Sequence, residues 1–277
     1  MLPPIPENTI RAARASYGKG HVYLRLGDRV NDLLSSINSD LLAIQSDGYF
    51  GTLLAALTIV QYVEGLTDTE LTESLHGRLD LRYALHLPSP GPRFDPFTLC
   101  AFRQKVLKDQ KYHLLFEEIF KVLYPELGAD ELRSNPAVCT VINSICVNTM
   151  RGFVVEAMFH AIEALSANHF NWLRQVALPH WYERYSHSLL VLDSGLSIRQ
   201  KEYTIDDLRI DIQYLLQAVD QSNSQKINEI PEVKTLRHVW SKLLHYKPED
   251  QCAYCFNNSF ERRSTFHSTN ENSSQAR

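Results

Sequence analysis

The sequence lacks any apolar run long enough to cross a bilayer as a helix. The longest, Leu53 to Val60, is closed by Gln61, whereas a spanning helix needs roughly 20 such residues. It also lacks an apolar segment before the basic pair Arg11 and Arg14, so no secretory leader and no membrane partner are expected, and the expected compartment is the cytoplasm. Cysteine is sparse and odd in number. Five residues, at 100, 139, 146, 252 and 255, do not have the dense even spacing of a secreted disulfide framework, so reduced thiols are expected. Nor is there an excess of positive charge: 28 Lys and Arg against 32 Asp and Glu give a formal net charge of -4. Chains that hold nucleic acid by bulk charge are basic overall, so any such contact here must be a local patch. With 11 Gly, 12 Pro and no internal repeat, collagen-like and low-complexity readings fall away.

What is present reads as folded and mainly α. Hydrophobic residues make up 44% and charged ones 22% of 277 positions, enough for one large domain or two of about 100–200 residues. Val30, Leu33, Leu34 and Ile37 have helical spacing, and Leu53, Leu54, Leu57, Val60 and Val63 mark a buried helix from Thr52 to Glu64 that Gly65 ends. Thr67 with Glu70 has the capping-box form and opens a second helix to Gly77. Leu79–Leu87 reads as a third helical piece before the rigid Pro88–Pro92 loop. Asp95 and Pro96 then supply an N-cap and a first-turn proline for a helix to about Lys108, and Lys111–Tyr124 follows as another. After a polar connector, Ala137–Ile142 is apolar and β-branched and is expected to be one buried strand. Phe153–Ala167, Trp172–Val176, Asp206–Val219 and Val233–Leu244 read as helices, and the stretch from Gln251 onward, rich in Asn, Ser and Thr, as a disordered tail.

One stretch departs from the overall charge. Between Arg78 and Lys111 there are seven basic residues, Arg78, Arg82, Arg93, Arg103, Lys105, Lys108 and Lys111, against Asp80, Asp95 and Asp109, a local +4. The helix opened by Asp95–Pro96 carries Thr98, Arg103, Gln104, Lys105 and Lys108. Arg and Gln can read base edges while Lys neutralises phosphate, so these residues, with Arg78, Arg82 and Arg93, are the candidate nucleic-acid-binding set. Short helices before it would brace it in a helix-turn-helix-like part. Elsewhere the bland readings are preferred. Asp206, Asp207 and Asp211, like Glu117 and Glu118, are expected on solvated helix faces. Trp172, Trp181 and Trp240 are expected as core anchors, Cys139 and Cys146 as small core residues, and His180 and His187 as satisfied polar groups. Cys252-Ala-Tyr-Cys255 with His245 and His267 has zinc-ligand residue types but no second close pair, so no metal site is expected.

Three stretches together resemble one family. Tyr23-Leu-Arg-Leu26, then Gln61–Asp68 running into Arg78–Leu85, then Phe94–Leu99 with Phe102-Arg103, are similar in order and spacing to the InsH-type N-terminal domain of insertion-sequence transposases. Pro179–Tyr185 and Pro231–Trp240 resemble segments of longer members, inserted after their first catalytic strand. The resemblance implies a helical DNA-binding domain at 1–126, a connector and remnant first catalytic strand of a ribonuclease-H-like domain at 127–149, a helical insertion at 150–248 and a tail at 249–277. It also implies an Asp, Asp, Glu triad holding Mg²⁺, since hard cations prefer oxygen ligands and paired metals stabilise both oxygens of a phosphodiester displacement. The first Asp of the family falls at about Pro136–Thr140, yet no Asp or Glu occurs between Glu131 and Glu156. The expectation is therefore a truncated, degenerate transposase without catalytic residues or a metal cofactor of its own. Its expected partners are DNA and either a second copy or an intact transposase. The alternative is a helical protein-interaction module that does not bind DNA.

Overall fold

A computed structural model describes residues 1–18, 20–42, 49–91, 94–128, 136–185, 203–222 and 224–244. Among these every regular element is helical: α1 (Glu7–Ser16), α2 (Val22–Ser35), α3 (Ser39–Leu42), α4 (Phe50–Glu64), α5 (Asp68–Gly77), α6 (Leu79–Ala84), α7 (Pro96–Lys108), α8 (Gln110–Leu123), α9 (Val138–Val176), α10 (Pro179–Tyr185), α11 (Ile205–Gln221), α12 (Gln225–Asn228) and α13 (Pro231–Leu244). The expected tail, Arg93 and the Cys252/Cys255 pair with His245 and His267 lie outside the described residues, as does His187.

Local chemistry sets the boundaries in the N-terminal body. Residues Gly51–Gln61 of α4 are buried on every side, which makes it the central helix, packed by α5, α7, α8 and α9. It stops at Gly65, whose φ of 69° places it in the left-handed region that glycine enters without a Cβ penalty. Thr67 then accepts from the Glu70 amide while the Glu70 carboxylate accepts from the Thr67 amide, a reciprocal cap that restarts the chain as α5. Asp95 caps α7 and Asp109 caps α8, so the two helices meet at one residue. The third helical piece is shorter than its periodicity suggests: α6 ends at Ala84, and His86 adopts a φ of 56° that no helix accommodates.

The expected strand is not a strand. Ala137 is the N-cap and Val138 the first residue of a helix 39 residues long, with a break in helical dihedrals at His169. Val138, Val141, Ile142, Ile145, Cys146, Thr149 and Met150 are all buried, at spacings of three and four, so the period that governs the segment is helical and packing overrides its β-branched composition. By length and composition α9 could cross a membrane, which no single apolar run in the sequence suggests. Half of its most apolar stretch is buried here against other helices, as in the core helix of a bundle. Its first half completes a core with α2, α4, α7 and α8, ending at Cys146, and its second half starts another at Met150 with α10, α11 and α13. Gly152 sits at the junction, where an added Cβ would stand 2.7 Å from the Thr67 methyl. Cys146 is buried as expected, whereas Cys139 is exposed on the first turn of α9.

Candidate nucleic-acid interface

Helix α7 is two-faced. Leu99, Cys100, Phe102, Arg103 and Val106 are buried, and on the opposite side Thr98, Ala101, Gln104, Lys105 and Lys108 recur at spacings of three and four. Thr98 and Gln104 are half-buried on that stripe; Lys105 and Lys108 are exposed. The structure thus brings together four of the eight expected residues.

Of three others, Arg103 and Arg82 are buried, against the expectation of a DNA-facing surface, and Arg78 is about a third exposed and held by carboxylates. Arg103 has no exposed side-chain surface. Its Nη2 donates to Asp68 Oδ2 at 2.7 Å and its Nη1 to Gln61 Oε1 at 3.2 Å, while Gln61 Nε2 donates to Asp68 Oδ1 at 2.6 Å. This closed buried network ties α7 to α4 and α5 and cannot read a base. Arg82 is 5% exposed; it donates to the His76 carbonyl at 2.6 Å and to Ser89 Oγ at 2.9 Å, holding the Pro-rich loop to α5. Arg78 lies between Glu64 (2.5 Å) and Asp80 (2.8 Å), with its guanidinium 5.2 Å from the centre of the Tyr23 ring. Burial works against its charge, but the two carboxylates outweigh burial and hold its pKa above the ordinary value. Those two carboxylates already offset its charge.

Among the described residues of the basic stretch, the positive charge that remains collects at the corner where α7 meets α8. Lys105, Lys108 and Lys111 are all exposed, and among the described residues none has a carboxylate within ion-pair distance. The one acid in the corner, Asp109, turns its carboxylate to the Lys111 amide. Lys105 stands 5.4 Å over the ring of Tyr112, which itself packs edge-on against Phe102. Tyr112 is thus a positioning residue that the sequence reading missed; its place in the first turn of α8, seven residues after Lys105, was the available signal. Of the cations elsewhere, Lys121, Arg184, Arg209, Lys234 and Arg237 each hold a carboxylate, whereas Arg11, Arg25, Arg174 and Lys226 are exposed without one but lie one apiece on α1, α2, α9 and α12.

Two acids of the second body, Asp207 and Asp211, are committed too. Asp211, expected on a solvated face, is buried and accepts from His180 (3.0 Å), Arg184 (2.5 Å) and Tyr185 (2.7 Å) of α10. Burial pushes its pKa up and those donors pull it down, leaving it below the usual carboxylate range. Asp207 closes a capping box with Thr204, which lowers its pKa. A pair of divalent ions, which the transposase resemblance implies, does not fit these residues. Positions 136–140 carry no acid and open a helix, and among the described residues no three of His, Cys, Asp and Glu come together as a metal site.

Residues 17–105 match the family model described as Transposase domain (DUF772). That span runs from just before α2 nearly to the end of α7, so it contains the central helix, the buried Arg103 network and Lys105, while Lys108 and Lys111 follow it. Residues 17–105 are therefore similar to an insertion-sequence transposase-type N-terminal domain, a match that covers about a third of the chain. Neither a curated protein nor a solved structure matches the chain.

Proposed function

We propose that this transposase-related protein binds DNA in the cytoplasm through the outer stripe of α7 and the start of α8, and does not by itself carry out metal-dependent strand transfer. The observation that carries the reading is the unneutralised lysine corner on a domain of transposase type, in a chain whose net charge is otherwise negative. Phosphates attract such a corner because each ammonium that meets one releases a condensed counterion. The buried network of Arg103, Gln61 and Asp68 supports the stripe by fixing α7 against α4 and α5. That strand transfer lies outside these residues is supported by the missing acid near 136–140 and by the structural commitments of Asp207 and Asp211.

Two assays test the reading. A gel-shift titration with duplex DNA should show binding at low salt that weakens when Lys105 and Lys108 are both changed to Ala; no shift at any concentration would favour a protein-interaction module instead. Incubation of supercoiled plasmid with the purified chain and Mg²⁺ or Mn²⁺ should leave it uncut, and metal-dependent nicking would overturn the second half of the proposal.

A further inference from the structure

Arginine presents a planar fork that matches the two acceptors of guanine; lysine can also reach guanine but as a compact point charge on a flexible stem, which suits phosphate equally. The described arginines of the basic stretch are all withdrawn from the surface reading: Arg103 and Arg82 are buried and Arg78 is held by two carboxylates. The outer stripe keeps one amide, Gln104, one hydroxyl, Thr98, and ammonium groups. Both of those neutral side chains are half-buried, while Lys105, Lys108 and Lys111 stand exposed at the end of α7 and the first turn of α8. Their anchoring also suits a backbone contact. Lys105 is steadied by Tyr112, and the Asp109 carboxylate is occupied by its cap, so it does not compete with phosphate.

We infer that the α7–α8 corner grips the phosphodiester backbone of double-stranded DNA without regard to sequence, and that it does so through three lysine–phosphate contacts. The inference rests on the DNA-binding reading above. It carries a number: each phosphate neutralised on duplex DNA contributes about -0.9 to the slope of log K against log salt, so three contacts give about -2.7, or roughly 40-fold weaker binding between 50 and 200 mM salt.

Fluorescence anisotropy of the full chain with two labelled duplexes of unrelated sequence, titrated across salt, is the test. The expected result is affinities equal within about threefold and a slope that falls by about one for each of Lys105→Gln, Lys108→Gln and Lys111→Gln. Gln104→Ala should leave the ratio between the two duplexes unchanged, and Arg174→Gln, an exposed cation on α9, should leave the slope unchanged. The lysine and arginine variants sit on the surface and Gln104 is half-buried, so melting temperature checks that all of them fold. Discrimination of tenfold or more between the duplexes, or a triple lysine variant that keeps its slope, overturns the sequence-independent grip while DNA binding itself stands. Absence of binding to either duplex at 20 mM salt sinks the DNA reading as well.

Discussion

Arg103 shows how one residue can carry two opposite readings. Its residue type and its place in a basic stretch suggest a base-reading side chain, yet it lies four residues after Leu99 and three before Val106, on the buried side of α7. That register was visible in the sequence, and it outranks charge because a helix face is buried as a unit. Removing one partner of a buried ion pair strands the other charge without solvent, so Arg103→Ala is expected to cost about 3–5 kcal/mol of stability. Lys108→Ala, on the exposed side, should stay within about 0.5 kcal/mol in chemical denaturation while weakening DNA binding. Equal stability loss in the two variants would contradict the placement of Arg103. Asp211 makes a second case, in pH. Its folded pKa is depressed, against an ordinary unfolded value of about 3.9. The stability it contributes is therefore complete above that value and is lost as pH falls through it toward the lower folded value. Melting curves between pH 3 and 7 should show the wild type losing its advantage over Asp211→Asn at the acid end. A gap that stays constant throughout would mean that the carboxylate is not held ionised by α10.

At the scale of elements, helix ends were the most legible features, because a cap is written in two or three neighbouring residues. Thr67–Glu70 and Asp95–Pro96 stand where their chemistry places them. Helix α9 was not legible in this way. Ala137–Ile142 is six residues long, too short for period two and period 3.6 to separate, and only the continuation through Ile145, Cys146, Thr149 and Met150 decides it. The junction on α9 can be tested through Gly152 and Thr67. Ala in place of Gly gains up to about 1 kcal/mol of helix propensity, but here its Cβ would press on the Thr67 methyl at 2.7 Å. Thr67→Ser keeps the capping hydroxyl and removes that methyl. Gly152→Ala should therefore be neutral or destabilising alone and stabilising in the Thr67→Ser background, a coupling of at least about 0.5 kcal/mol in thermal melts of the four proteins. Additive effects would show that the two residues do not press on each other.

Across the whole molecule, two apolar cores share one helix, and the lysine corner belongs to the first. Leu215, fully buried in the second core, should cost about 2–5 kcal/mol when changed to Ala. The salt slope of DNA binding should stay as it was, provided the measurement is made below the lowered melting temperature. A parallel loss of slope would mean that the second core shapes the corner.

Resemblance to a known family pointed to the transposase type of the segment now matched at residues 17–105, while composition and local pattern alone determined that the chain is helical and where most N-terminal helices start and stop. They could do so because caps, glycine stops and the 3.6-residue period are properties of short stretches of chain. The register of Arg103 aside, which basic side chains are neutralised was decided only in three dimensions. A cation's exposure depends on which carboxylates, carbonyls and helices distant parts of the chain bring beside it: Asp68 and Gln61 took Arg103, Glu64 and Asp80 took Arg78, Ser89 and the His76 carbonyl took Arg82, and the three lysines at the α7–α8 corner were left to the solvent.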